Sequence, residues 1–391
     1  VSIPFSSLIK NIRSGERFYP LKDGRFFLIP EAWFSTYHDL AVYGEDGEDF
    51  VRMPKSHFNR FSETEAEQVD VSAINHVSSN KILTLPAGLQ ATLRPYQMDG
   101  YRWLVEHYEQ GLGACLADDM GLGKTLQTLA ALFYAREQSK SIKRTEKIKG
   151  QPRDLFNNFS EAEDDQDFLA LIVLPTSLVF NWKNEIKRFC PTLKVLEYIG
   201  TDRFQSVKHF SQYDLILTSY GVAIRDYNLL QSIQFDYIVL DESQRIKNRG
   251  SKAFKLLFGL HTKNKISLSG TPIENSLSDL WSQMEFINPK ILGSYEFFKK
   301  RFLKPMKATG NGSSIHELKE IIRPFILRRT KEEVALDLPE LTETVYYCDM
   351  EDDQRAMYEK EKSAARNLIL NIDGQSMQQK FMLLSSIIQR W

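Results

Sequence analysis

The stretch ACLADDMGLGKTLQTLAALFYA, residues 114–135, decides the fold class. It runs from a compact apolar segment through a glycine-rich turn into a helix-like segment, which is the order of a phosphate-binding loop. Gly121 and Gly123 allow the backbone to approach phosphate oxygens, and the amides of the following helix point toward negative charge. In this pattern Lys124 reaches the β- and γ-phosphates and the Thr125 hydroxyl holds magnesium.

The alternation of short apolar runs and helix-like segments extends over most of the chain. Short, continuously apolar strands separated by helices indicate a parallel sheet covered on both faces. The sequence therefore predicts an α/β fold. The apolar runs are ACLA (114–117), LALIVL (169–174), DLILT (214–218), DYIVL (236–240) and KISLS (265–269).

A second acidic site follows one of these runs, in FDYIVLDESQ (235–244). Asp241 at the carboxyl end of the strand can face a magnesium ion, and Glu242 is then placed to orient or deprotonate an attacking water. An acidic pair at a strand end is often only a solvated turn. Its position downstream of a GKT helix in an α/β chain favours catalysis, so we predict hydrolysis of a nucleoside triphosphate.

Composition excludes several classes of protein. The 391 residues are 26% charged and 42% apolar, as in globular proteins of two to three domains at ~150 residues per domain. No apolar run approaches the ~18 residues that a membrane span needs, and the first residues lack the pattern of a signal peptide. The net charge of -1 argues against a uniformly basic coat but allows a local basic strip.

The cysteines and histidines point to a reducing compartment without a structural metal. The three cysteines lie far apart, and with the seven histidines they form no metal-ligand spacing. We therefore expect a cytoplasmic protein with no metal other than nucleotide-bound magnesium.

Changes in composition and in the pattern of apolar residues along the chain predict four regions. A hairpin signal at Asp23-Gly24 and a helix opened by Pro30 mark a small unit, and a basic-then-acidic stretch poor in apolar residues marks a mobile insertion. The predicted regions are an α+β accessory domain (1–80), an α/β region (81–276, with the insertion at 137–168), a mostly helical region (277–340), and a last region with a strand and a long helix (341–391).

Seven segments together identify the chain with a known family. On them it resembles the Swi/Snf-type ATPases, a branch of helicase superfamily two, in their amino-terminal RecA-like lobe. The resemblance implies that 81–276 is the RecA-like ATP-binding lobe, 277–340 a helical protrusion with its return segment, and 341–391 a strand with the start of a second helical protrusion. Asp118 stands at the first glycine position of the general P-loop pattern, DESQ differs from DEAH or DEGH and looks bacterial, and Glu274 replaces a common Gln. The segments are TLRPYQMDGYRWL, LADDMGLGKT, LIVLPTSLVFNWKNEIKRF, ILTSYG, IVLDESQRIKN, ISLSGTPIEN, and FILRRTKEEV with LPELTE.

The resemblance implies ATP and Mg²⁺ as cofactors. Gln97 corresponds to an adenine-recognising residue, since a Gln amide matches adenine's donor and acceptor together. Lys124, Asp241 and Glu242 are the implied catalytic residues, with Thr125 and Asp241 at the metal. The implied ATP-binding set is Arg94, Gln97, Asp119, Met120, Gly121, Leu122, Gly123, Lys124, Thr125 and Gln244, and the coupling set is Ser269, Gly270 and Thr271.

The resemblance also implies double-stranded DNA as a partner. Hydroxyls, amides and loop N–H groups at strand ends can hold phosphates without reading bases. The pairs Lys299-Lys300 and Arg328-Arg329 either join a DNA-facing strip or form solvated charged faces. The implied DNA contacts are Thr176, Ser177, Asn181, Trp182, Lys183, Thr218, Ser219 and Asn275; Trp182 alternatively packs in the core.

We therefore expect the ATP-binding half of an ATP-dependent double-stranded DNA translocase. A second RecA-like lobe does not follow in this sequence, so we expect the chain to be part of a longer protein, to bind ATP and to hydrolyse it weakly. The alternatives are a strand-separating or RNA-acting helicase, and an ATP-regulated module acting on a protein such as RNA polymerase. Residues 1–80 offer a further site for a protein partner, and no membrane partner is expected.

Overall fold

The computed structural model describes residues 5–21, 23–46, 51–54, 56–57, 83–149, 168–201, 203, 206–270, 277–305, 312–334 and 347–370. The chain divides into two compact units, Val1–Leu336 and Asp337–Trp391. In the second unit the described residues contain the helix Asp352–Leu370. Among the described residues, no helix combines the length and apolar character needed to cross a lipid bilayer.

A seven-stranded parallel sheet organises the first unit, in the order β11-β5-β10-β9-β6-β8-β7. Each of the five apolar runs that the sequence marks as strands lies in it, so the predicted α/β class is confirmed. Two members, β7 and β11, were not predicted. The strands are β5 Ala114–Leu116, β6 Ala170–Leu174, β7 Val195–Tyr198, β8 Leu215–Ser219, β9 Phe235–Leu240, β10 Thr262–Leu268 and β11 Ile326–Leu327.

Strand β6 is apolar along its whole length because both faces of the sheet are covered there. In β6, Leu171 and Val173 join one core while Ala170, Ile172 and Leu174 join the other. This alternation is the period of two that a strand imposes on its side chains.

Helices cover the two faces in separate groups. Side chains of Pro95–Gln110, Lys124–Lys149 and Val179–Phe189 pack into the core on one face. The opposite core contains side chains from the helices Tyr220–Arg225, Tyr227–Gln231, Lys252–Phe258, Leu277–Ile287, Tyr295–Phe298 and Gly312–Ile322, and from the π-helical turn Lys299–Leu303. Short 3-10 turns occupy Thr176–Leu178, Val207–Gln212, Ser243–Ile246 and Arg323–Phe325, and Lys331–Val334 is a last short helix of this unit.

Two segments differ from the sequence prediction. The helix Lys124–Lys149 contains residues 137–149, which were assigned to a mobile insertion. Lys, Arg, Glu and Gln are good helix formers, so a charged segment that is poor in apolar residues can still continue a helix. The rest of the predicted insertion, residues 150–167, lies outside the described residues. Of the strand predicted at 341–349, residues 347–349 are not in a strand and 341–346 lie outside the described residues.

The first described residues form three helices and two antiparallel strand pairs, including a hairpin whose turn lies at the predicted Asp23 and Gly24. Gly24 lies at φ 82°, a left-handed conformation that favours glycine, in the turn between antiparallel β1 and β2. Leu8 and Ile9 belong to a separate small core. The elements are helices Phe5–Ser14, Glu31–Thr36 and His38–Tyr43 and strands β1 Phe18–Pro20, β2 Phe26–Leu28, β3 Glu45–Asp46 and β4 Val51–Arg52.

The helical segments after β10 lead back to the sheet. Residues 326–327 form β11, which pairs in parallel with β5 through Ile326↔Cys115 and Leu327↔Leu116. The chain therefore leaves the sheet after β10 and returns beside the strand that carries the glycine-rich loop.

Candidate functional site

The predicted nucleotide residues lie at one edge of the sheet. The loop 117–123 follows β5, Ser269 follows β10 and Asp241 follows β9, and these three strands are neighbours in the order β5-β10-β9. Because parallel strands end at the same edge, the three connections converge there, where ligands of open α/β sheets bind.

The glycine-rich loop has the backbone that the sequence predicts. Gly121 and Gly123 have φ angles of 85° and 79°, in the left-handed region where a Cβ is costly. At Gly123 a Cβ would also lie 2.5 Å from the Gln97 amide nitrogen. The helix begins at Lys124, so its first amides face the loop.

Lys124 ends the loop after β5, and the carboxylates that act on its charge include the acidic pair after β9, two strands away in the sheet. Its ammonium group donates to the carbonyl oxygens of Asp118 at 2.6 Å and Asp119 at 3.2 Å. Burial lowers the pKa of Lys124, and the carboxylates of Asp118, Asp241, Glu242 and Asp119 oppose that change. The structure thus brings together the lysine and the acidic pair that the sequence predicts as one site.

Asp241 is 9% exposed and held by several donors. One carboxylate oxygen accepts a 2.7 Å bond from the Trp182 indole and the other a 2.9 Å bond from the backbone amide of Glu242. The Tyr220 hydroxyl donates to the Asp241 carbonyl at 2.9 Å. Burial raises the pKa of the Asp241 carboxyl, and the Trp182 bond opposes that rise.

Glu242 is linked through Gln244 to the end of β10, the strand between β9 and β5. The Gln244 amide donates to the Glu242 carboxylate at 2.7 Å, and the Ser269 hydroxyl donates to the Gln244 carbonyl oxygen at 3.2 Å. Glu242 itself has φ 50° and ψ 52°, an uncommon conformation for a residue with a side chain. Such strain persists where the surroundings fix it and concentrates at functional sites.

The other predicted coupling residues are only partly described. Gly270 lies beside the loop, since a Cβ there would be 3.5 Å from Cγ of Met120, whose side chain is 65% exposed. Thr271 lies outside the described residues. The described pair Ser269 and Gly270 therefore contacts both halves of the candidate site.

The residues predicted for adenine recognition lie next to the loop. The side chain of Gln97 accepts from the Arg94 amide at 3.0 Å and donates to the Leu122 carbonyl at 3.2 Å. Gln97 is buried while Arg94 is exposed. In this structure the Gln97 amide ties the helix start to the glycine loop, and adenine recognition stays a prediction.

The donor set fits a triphosphate with its magnesium ion. The Lys124 ammonium is bonded to main-chain oxygens of its own loop, and anionic phosphate oxygens are stronger acceptors. Thr125 is half-buried in the first helical turn and Asp241 offers a hard oxygen ligand.

The predicted DNA contacts separate into exposed and buried side chains. Thr176, Ser177, Asn181 and Lys183 are exposed after β6, and Lys183 pairs with Glu197. Asn275 lies outside the described residues.

Three of the predicted DNA contacts, Trp182, Thr218 and Ser219, are buried in the structure. Trp182 is 2% exposed, and its indole bonds Asp241 instead of facing solvent. Thr218 is fully buried, and its hydroxyl donates to the Tyr198 carbonyl at 2.9 Å. Ser219 is also buried, and its hydroxyl caps the next helix by accepting from the Val222 amide at 3.3 Å.

Sequence reasoning missed a buried ion pair behind the loop. Asp118 is fully buried and pairs with Arg329, whose Nε and second guanidinium nitrogen donate to its two oxygens at 2.9 and 2.5 Å. Arg329 was predicted as part of a DNA-facing strip or a solvated face, and neither holds. The signal was an acidic residue at a buried strand end, which needs a cationic partner.

Comparison with known proteins agrees with the motifs. The model of the SNF2-related domain matches residues 96–390. YwqA of Bacillus subtilis, named as an ATP-dependent helicase/translocase, is 38% identical over 306 residues, covering 76% of this chain and 30% of YwqA. Helicase ssl-1 of Caenorhabditis elegans is 36% identical over 286 residues, covering 70% of this chain and 11% of its own length. The chain thus spans less than a third of these curated relatives.

A solved structure gives the same result for the fold. The Sulfolobus solfataricus SWI2/SNF2 ATPase core in complex with dsDNA superposes with a TM-score of 0.54 at 40% identity, covering 79% of this chain and 59% of that one. The sheet, the site and these matches agree: the chain belongs to the SNF2-related domain family of helicase- and translocase-type ATPases.

Proposed function

We propose that this chain is the ATP-binding half of an ATP-dependent motor that translocates along double-stranded DNA. The observation that carries the proposal is that the loop ending at Lys124 and the acidic pair Asp241-Glu242 lie at the same edge of the sheet, after β5 and β9. A glycine loop alone would fit many phosphate ligands, whereas a loop lysine facing a strand-end acidic pair fits hydrolysis of a triphosphate.

Each side chain then has a defined part. Lys124 binds the β- and γ-phosphates, while Thr125 and Asp241 hold the magnesium ion, which when bound withdraws charge from the phosphate oxygens. Glu242 orients the attacking water and takes its proton. Trp182 keeps Asp241 ionised and correctly turned, because its indole hydrogen bond favours the charged carboxylate.

Gln244 and Ser269 connect the acidic pair to the chain that follows β10, which in the proposed motor transmits the nucleotide state. Their hydrogen bonds join Glu242 to the end of β10, so a shift at the γ-phosphate is carried to the segment that precedes the helices after residue 276. Gln97 and Arg94 face the base, where the Gln97 amide must exchange a bond to the loop for one to adenine.

DNA is the partner that best fits the exposed groups after β6. Hydroxyl, amide and ammonium groups on Thr176, Ser177, Asn181 and Lys183 suit phosphate contacts without base reading. The related archaeal core was solved in complex with dsDNA, which supports duplex DNA over RNA. We include in the proposal that turnover is slow in these 391 residues and needs a second lobe.

Binding of a fluorescent ATP analogue to the 391-residue chain tests the nucleotide part. The wild type should bind with magnesium present, and Lys124→Ala should lose binding. Lys140→Ala, an exposed lysine on the same helix, is the matched control and should bind normally. Equal binding by Lys124→Ala and the wild type would contradict the proposal.

Steady-state ATPase assays test the motor part. The chain alone should turn over slowly, and the full-length protein should be stimulated by duplex DNA. Robust turnover by the chain alone would remove the need for a second lobe. Stimulation by RNA but not by duplex DNA would overturn the DNA assignment.

A further inference from the structure

One guanidinium group joins three separate parts of the candidate nucleotide site. Besides its two bonds to Asp118, the Arg329 side chain donates to the Tyr96 carbonyl and, at 2.8 Å, to the side-chain oxygen of Gln127. Its guanidinium carbon also lies 5.3 Å from the centre of the Tyr96 ring. Tyr96 precedes the predicted base-reading Gln97, Asp118 begins the glycine loop, and Gln127 lies in the first turn of the loop's helix.

The pairing is more than a surface contact. The Asp118 side chain is fully buried and that of Arg329 is 13% exposed. A buried carboxylate is tolerated only with a well-oriented partner, and the planar fork of arginine supplies two parallel bonds where lysine supplies a point charge. Gln127 completes the arrangement by donating to Asp118 and to the Leu122 and Gly123 carbonyls, each at 3.3 Å.

The backbone around Arg329 follows the glycine loop. Beyond the β5–β11 pairing, the Ala117 amide donates to the backbone carbonyl of Leu327 at 2.7 Å. The Asp119 amide donates to the backbone carbonyl of Arg329 at 3.0 Å. The Lys331 amide in turn donates to the Asp119 carboxylate at 3.2 Å. Residues 327–331 thus run along the start of the loop and are hydrogen-bonded to it.

Gly100 explains how the helix comes close enough. It lies inside the helix Pro95–Gln110, where glycine is unfavourable. A Cβ at this position would overlap the Gln127 side-chain oxygen and lie 2.8 Å from an Arg329 nitrogen. The missing side chain leaves room for the network.

We infer that Arg329 is a positioning residue for nucleotide binding: it fixes the base-reading segment at Tyr96 and Gln97 relative to the phosphate loop. The inference rests on the proposed ATP site. Because one group holds both ends of the site, its loss changes the preference for adenine over guanine as well as affinity. A residue that only stabilises the fold would lower the melting temperature and leave that preference unchanged.

The experiment compares Arg329→Gln with Arg328→Gln in the 391-residue chain. Arg328 is the neighbouring arginine, and it is exposed. Binding of a fluorescent ATP analogue with competition by ATP and GTP gives affinity and base preference, and thermal unfolding reports the fold. We expect Arg329→Gln to weaken ATP binding ~10- to 100-fold, which is the cost of losing groups that orient metal ligands. We also expect it to reduce the ratio of ATP affinity to GTP affinity. Arg328→Gln should resemble the wild type.

Arg329→Lys keeps the charge opposite Asp118 and so protects folding, but it removes the fork. It should fold and still show a reduced ATP/GTP ratio. Wild-type affinity and preference in a folded Arg329→Lys or Arg329→Gln variant would overturn the inference, as would equal losses in the Arg328 and Arg329 variants. If the wild type itself binds no ATP, the proposed function fails instead.

Discussion

The two halves of the sheet's carboxyl edge hold their side chains in different ways. After β5, the Lys124 side chain is bonded to carbonyls of its own loop, and after β9 and β10 the side chains of Glu242 and Ser269 are joined through Gln244. After β6 and β8, the predicted contact residues are either exposed, as Thr176 is, or buried in the fold, as Thr218 is.

The difference reflects two kinds of ligand. Phosphate chemistry at a metal needs groups held in advance at fixed positions, which a bonded network provides. A motor that moves along a backbone needs exposed groups that bind and release, and these need no network. Substitutions should therefore be severe in the first half and mild in the second.

The largest effect should come from Glu242→Gln. Removing the carboxylate that activates water should lower DNA-stimulated turnover ~10²- to 10⁴-fold, with ATP binding retained. Steady-state hydrolysis and analogue binding measure both. Glu106→Gln, on an exposed helix face, is the control. Turnover near the wild-type rate would place the acidic pair outside the chemistry.

Trp182→Phe sharpens the comparison because the residue was predicted on the DNA half and lies against Asp241. Loss of the indole donor should cost about 1–3 kcal/mol of stability, measured by chemical denaturation. The Asp241 pKa, already raised by burial, should rise further, so the acid limb of the pH–rate profile should move to higher pH. A loss of DNA affinity with an unchanged profile would restore the original assignment.

Gly100→Ala tests the network by opposing helix propensity. Alanine favours a helix interior by ~1 kcal/mol over glycine, yet here its Cβ displaces Gln127 and Arg329. We expect net destabilisation and weaker ATP binding. Gly221→Ala, at a helical glycine with open space around its Cβ position, should be neutral or stabilising. Stabilisation by both variants would show that the network adapts.

The smallest effect should come from Lys183→Ala on the exposed half. The ion pair with Glu197 is solvent-exposed, so its removal should change stability by less than ~1 kcal/mol. Duplex binding should weaken modestly, and the slope of log affinity against log salt should fall by about 1. An unchanged slope would remove Lys183 from the DNA contacts.

Local patterns were sufficient for most of the sheet. The run at 169–174 is apolar at every position and that at 236–240 is apolar after Asp236, because both faces are buried, and this shows directly in the sequence. β11 has two residues and exists only by pairing with β5, more than 200 positions earlier, which no local pattern encodes. β7 is a sheet edge whose VLEY sequence carries an exposed Glu197 and lacks a continuous apolar run.

The residues of the candidate site also divide into those that local motifs predict and those that depend on distant parts of the chain. Lys124 and Asp241 stand in motifs whose spacing alone states their chemistry. Arg329 and Asp118 lie 211 positions apart, so their pairing depends on the return of the chain after residue 325. Trp182 was ambiguous because an aromatic residue on a helix can face a groove or the core, and only the packed structure decides.

Determining the structure of the chain with a non-hydrolysable ATP analogue and a divalent ion tests the central claim most directly. The account predicts that the Lys124 ammonium leaves the Asp118 and Asp119 carbonyls for the phosphates, with the ion between Thr125 and Asp241. A nucleotide bound elsewhere, or an ion contacting neither residue, would contradict it.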